Sequence, residues 1–157
     1  MGQWGGRESP LEGVRVLLVE DYPVVREVIG RLLVAFGAAV TETAGVAEAL
    51  EAFERERPDV VLSDIDMTDE DGYALIRKLR ALPLDRGGDT PAAGLTGLST
   101  IEHRGRVLQA GFQYYVAKPV DARLLVSVVA GLAARSGAAR KSAAWRGIGT
   151  ATAGPAS

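Results

Sequence analysis

Two short runs, residues 14–19 (VRVLLV) and 59–63 (DVVLS), are almost continuously apolar and β-branched, and each is followed at once by acidic residues, Glu20-Asp21 and Asp64-Ile65-Asp66. A strand that alternates apolar and polar residues covers one face of a sheet. A strand apolar on both sides has to be covered twice, which is the condition of central strands in a parallel sheet. The segments between such runs carry a helical period, so the chain reads as strand, helix, strand, helix.

Residues 39–43, 92–96 and 113–117 are the remaining strand candidates. Val25, Val28, Ile29, Leu32, Leu33 and Phe36 form one helical stripe that stops at Gly37. Residues 46–56, ended by Pro58, and 72–82 form the second and third helices. A capping box in STIE, 99–102, opens a fourth that ends near Gly111, and Asp121 caps a fifth carrying Leu125, Val128, Val129 and Leu132. Five βα units joined by right-handed crossovers leave few topologies, of which the expected one is an α/β, flavodoxin-like (βα)5 fold: a parallel five-stranded sheet of order 2-1-3-4-5 with helices on both faces. The predicted domain spans 14–134, between a flexible N-terminal tail, 1–13, and a flexible C-terminal tail or linker, 135–157. The polar loop LPLDRGGDTP, 82–91, reads as a mobile surface excursion, and the C-terminal remainder is too short for an output domain of its own.

Composition narrows the chemistry. With 157 residues there is room for one core, and 47% hydrophobic content suffices to build it. There is no cysteine and one histidine, His103, which excludes thiolate chemistry and multi-histidine metal sites. Residues 13–134 hold 18 acidic and 13 basic side chains, a balance of −5 that does not favour nucleic acid. Arg140, Lys141 and Arg146 in the tail read as a solubilising end. No apolar run reaches membrane-spanning length and no signal peptide opens the chain, so a cytoplasmic location is expected.

In open α/β sheets, ligands bind beyond the carboxyl ends of the strands. There the sequence places Glu20-Asp21, Asp64-Ile65-Asp66, Thr96 and Lys118-Pro119, on strands that are neighbours in the expected order. Carboxylates brought together this way repel one another, by roughly 4 kcal/mol per pair at ~4 Å and an effective dielectric near 20. A divalent cation relieves the conflict. Hard oxygen donors without imidazole or thiolate favour Mg²⁺, with Mn²⁺ possible, in a site that keeps room for a phosphoryl oxygen. Lys118 would meet a second phosphoryl oxygen and the Thr96 hydroxyl a third, with Gly97 leaving the approach open. His103, in IEHRGR, reads as part of an exposed polar helix face.

The ordered set VLLVED, VVLSDIDM with DEDG, GLTG and AGFQYYVAKP resembles the receiver domain of two-component response regulators over roughly 14–134. The resemblance implies that Asp64 is the phosphoacceptor, that Glu20 and Asp21 serve the metal together with Asp64, and that the main-chain carbonyl of Asp66 is a further ligand. It makes Thr96 the switch hydroxyl, Tyr115 the switch aromatic and Lys118 the phosphoryl-contacting cation; Tyr114 is expected on the opposite strand face. Thr68 stands where the family usually has proline, Gly97 where it usually has alanine, and Leu98 puts an apolar group nearby. The implied function is a phosphorelay switch, not an enzyme beyond self-dephosphorylation. Its implied donor is a sensor histidine kinase or histidine phosphotransfer protein, and its output face comprises the fourth helix, fifth strand and fifth helix. The long polar loop is similar to receivers of hybrid histidine kinases. Two other readings share part of the pattern. DIDMT fits the nucleophile motif of haloacid-dehalogenase-like phosphatases, and a Toprim-like nucleic-acid enzyme also sets a glutamate and DxD after successive strands. Chain order disfavours the first, and the second leaves Lys118 without a role.

Overall fold

The backbone donors and acceptors of the apolar runs find their partners in one parallel sheet. The computed structural model describes residues 9–67, 72–97 and 101–136. The elements are β1 (Arg15–Val19), α1 (Pro23–Ala35), β2 (Ala39–Thr43), α2 (Val46–Glu56), β3 (Val60–Asp64), α3 (Gly72–Arg80), β4 (Ala92–Thr96), α4 (Ile101–Ala110), β5 (Tyr114–Ala117) and α5 (Ala122–Ala133), with a 3-10 turn at Leu84–Arg86. The strand order is β2-β1-β3-β4-β5, the one expected among the few that right-handed crossovers leave. β3 and β4 are buried along their whole length, whereas the edge strands β2 and β5 have exposed positions.

Register and the two-residue period divide the core. Leu62 of β3 lies beside Leu18 and Ala93, and Leu95 beside Val116. This face packs on Ile29 and Leu33 of α1 and on Leu125 and Val129 of α5. On the other face, Leu17, Val19, Val61 and Ala92 pack with Phe53 of α2, Leu75 and Leu79 of α3 and Val107 of α4. Each fully buried leucine contributes about 1.5–3 kcal/mol.

Helix ends follow local chemistry. Pro23 sits in the first turn of α1, where its missing N–H is harmless. Gly37, at φ +106°, turns the chain out of that helix. The Asp121 carboxylate accepts from Leu124 N at 3.1 Å and caps α5. Arg57 ends α2 in the left-handed region at φ 48°, one residue before the proline expected to end it.

Three expectations are corrected. Val28, placed on the buried stripe of α1, is 60% exposed, because the helix contacts the sheet through Ile29, Gly30 and Leu33. Leu11, assigned to the flexible tail, is fully buried in the core and its N–H donates to Phe36 O at 2.9 Å. The loop at 82–91 is pinned: the Arg80 guanidinium donates to Gly88 O at 3.1 Å, Thr90 O at 2.7 Å, Gly111 O at 3.0 Å and Gln113 Oε1 at 3.0 Å. Tyr114 and Tyr115 pair with Ala93 and Gly94 and so alternate in face as expected, while their rings stack around the sheet edge with centroids 5.9 Å apart. Thr68, Leu98, Ser99 of the capping box and the segment from 137 onward lie outside the described residues.

Candidate functional site

The carboxyl edge of the sheet brings charges of both signs together. β1 ends at Val19 beside Ser63, so the next residues, Glu20 and Asp64, continue the buried face of Leu18 and Leu62 to its rim. Glu20 is held there by its backbone: its N–H donates to Thr43 O at 3.0 Å, and its carbonyl accepts from Arg26 Nη1 at 2.8 Å. Lys118 comes from the end of β5, where its N–H donates to Thr96 O at 2.8 Å and its peptide bond to Pro119 is cis.

The Lys118 ammonium bridges two buried carboxylates, reaching Glu20 Oε1 at 3.0 Å and Asp64 Oδ1 at 3.1 Å. Tyr22 N donates to Glu20 Oε2 at 3.2 Å and Asp66 N to Asp64 Oδ1 at 3.2 Å. Asp21 completes the cluster, in which one oxygen from each of Glu20, Asp21 and Asp64 lies within 4.8 Å of the others. Three carboxylates against one ammonium leave a formal double negative charge. Burial, foremost, and the adjacent Asp64 charge push the Glu20 carboxyl above its ordinary value, against the hydrogen bond from Lys118. Lys118 is also raised. Burial, its largest single influence, lowers it, but the hydrogen bonds and charges of Glu20 and Asp64 all together outweigh that.

The remaining expected residues are placed differently. The Asp66 carboxylate is exposed and outside the cluster, and only its amide N–H reaches Asp64. Thr96 is fully buried, one residue beyond the Asp64–Leu95 pairing and therefore on the opposite face from Asp64. Its Oγ1 lies 2.9 Å from Nε2 of His103. Gly97 is exposed, and among the described residues a Cβ there would meet nothing within 4 Å. Tyr115 is half-buried, with the Arg104 guanidinium 5.6 Å above its ring.

His103 corrects the sequence reading outright: it is 6% exposed, not part of a solvated face. Its residue type gave no signal, since only the fold sets Thr96 beneath it. Gly72 was also passed over. A Cβ there would stand 2.5 Å from Asp64 O and 3.0 Å from Ile65 Cα, so α3 approaches the site backbone closely only because residue 72 is glycine. Gly72→Ala is expected to destabilise by about 1–3 kcal/mol, since backbone must shift to make room; the midpoint of urea unfolding measures it.

Fold and site together define a doubly wound α/β protein whose sheet edge can hold a cation and an anionic group side by side. The family model described as response regulator receiver domain matches residues 16–130. This chain belongs to the response regulator receiver domain family, the phosphoacceptor switches of two-component signalling. An uncharacterized 14.6 kDa protein encoded in the sodA1 3′ region of Leptolyngbya boryana is 39% identical over 114 residues, covering 73% of this chain and 86% of that protein. The sensor histidine kinase RcsC of Salmonella typhimurium is 29% identical over 124 residues; the match covers 79% of this chain but spans only 13% of the kinase. Among solved structures, the receiver domain of sensor histidine kinase PA1611 from Pseudomonas aeruginosa PAO1 is 35% identical with a TM-score of 0.70, covering 77% of this chain and 98% of that one. That structure has a magnesium ion coordinated in its active site cleft. Neither the phosphatase nor the Toprim-like reading finds support in these matches. Among the described residues no helix is long and apolar enough to cross a membrane.

Proposed function

We propose that this receiver accepts a phosphoryl group on Asp64 from a phosphohistidine of a sensor histidine kinase or histidine phosphotransfer protein, and acts in the cytoplasm. The observation that carries the reading is the Lys118 ammonium bridging Glu20 and Asp64, beside the three-carboxylate cluster. In the transfer an Asp64 carboxylate oxygen bonds to phosphorus, the phosphorus–nitrogen bond breaks, and the electron pair leaves with the donor imidazole. Lys118, already on Asp64, neutralises charge on the incoming oxygens, so the work is positioning and electrostatics.

The donor set suits magnesium: hard carboxylate oxygens on Glu20, Asp21 and Asp64, with the Asp66 carbonyl proposed as a further ligand. When bound, magnesium supplies the positive charge the cluster lacks and orients a phosphoryl oxygen. Manganese fits the same donors. Hydrolysis of the acyl phosphate by water returns the carboxylate and resets the switch.

The Thr96 hydroxyl and Tyr115 are the proposed switch residues and α4, β5 and α5 the output face. Ile101, Leu108, Tyr114 and Leu124, all exposed on those three elements, support that assignment by offering apolar contact to a partner. The match to part of RcsC supports a kinase or phosphotransfer donor.

Incubation with acetyl phosphate is expected to add one phosphoryl group per chain, only with Mg²⁺ or Mn²⁺, read by intact-mass spectrometry and removed by hydroxylamine. Sustained turnover of p-nitrophenyl phosphate without stoichiometric labelling would instead identify a phosphatase.

A further inference from the structure

α4 buries only His103 and Val107, one turn apart on the side that faces the sheet and α3. A polar ring at such a position costs about 1–3 kcal/mol unless it is hydrogen-bonded. At Nε2 His103 meets that condition through Thr96 Oγ1, 2.9 Å away, with the edge of the Tyr73 ring from α3 beside the imidazole at 6.5 Å between centroids. The next residue, Arg104, lies over Tyr115. Both proposed switch residues are therefore contacted by consecutive residues of one helix turn.

We propose that His103 is a positioning residue for Thr96: in the unphosphorylated protein the Thr96 hydroxyl donates to Nε2, and an acyl phosphate on Asp64 competes with the imidazole for that proton. This rests on Asp64 as phosphoacceptor and on Thr96 as the switch hydroxyl. A hydroxyl has one proton to donate. Given to a phosphoryl oxygen, it is withdrawn from Nε2, and α4 loses a bond to the sheet at the position that packs against α3. His103 thus opposes phosphorylation and ties its completion to α4.

Because His103 is the only histidine of the chain, imidazole ¹⁵N signals report this contact without assignment. The full chain is titrated with beryllofluoride and Mg²⁺, with fluorine NMR to register the bound ion. The Nε2 resonance of the wild type is expected to move on binding toward its position in unliganded Thr96→Val, with Nδ1 little changed. His103→Phe is expected to bind beryllofluoride about 2- to 10-fold more tightly than wild type, the range of one net hydrogen bond. His103→Gln, which can still accept, is expected to return toward the wild-type affinity, and His103→Phe to have no effect in a Thr96→Val background. An unmoved Nε2 signal with the ion bound, or unchanged or weaker affinity in His103→Phe, overturns the role of His103 and leaves Asp64 as acceptor. Absence of any bound fluorine signal in wild type overturns the acceptor reading and this inference with it. If His103→Phe does not fold, the wild-type spectra and His103→Gln decide.

Discussion

Asp64→Asn is expected to abolish phosphoryl incorporation from acetyl phosphate, a fall of at least about 100-fold, because the amide oxygen is not a competent nucleophile and nothing else in the cluster takes its place. The fold is expected to survive. The asparagine has the same shape, and its Oδ1 can still accept from Lys118 Nζ and Asp66 N, which hold Asp64 at 3.1 Å and 3.2 Å. Without a metal the variant is expected to be no less stable than wild type, since one of three mutually repelling carboxylates is gone. Intact mass with and without acetyl phosphate, beside a thermal melt, checks both parts. Labelling of the variant at the wild-type rate would place the acceptor elsewhere.

Lys118→Ala has the largest expected effect on stability. Its removal leaves the Glu20 and Asp64 side chains, 1% and 4% exposed, facing each other without a cation. Removing one partner of a buried ion pair costs roughly 3–5 kcal/mol, and the low end applies because Lys118 is itself 26% exposed. Magnesium is expected to restore part of the loss, since the cluster then has another source of positive charge. A urea titration with and without Mg²⁺ measures this. Equal loss in both conditions would mean that Lys118 matters for packing and not for charge. Labelling is expected to slow as well, because the ammonium beside the proposed acceptor, Asp64, is gone.

The two predictions also mark how far the residues alone reach. Glu20, Asp21, Asp64 and Lys118 were legible as a group because each follows directly on a strand, and parallel strands share one carboxyl edge. Thr96 met that criterion too, yet its hydroxyl lies against His103: at a strand end the two-residue period decides the face, and Asp64 and Thr96 fall on different sides. His103 sits in the polar stretch IEHRGR, whose pattern resembles a solvated helix face. Leu11 joined the core from a segment whose composition reads as a tail.

By itself the sequence determined the elements and the charged residues that parallel strands bring to one edge. Those follow from periods of 2.0 and 3.6 and from the direction of parallel strands, which are properties of the chain's own neighbours. Tertiary structure alone decided which hydroxyl His103 meets, what Arg80 ties down and how closely α3 approaches Asp64 across Gly72. Those contacts join side chains to surfaces built by other elements, and burial and hydrogen bonding there depend on the packed geometry and not on any local pattern.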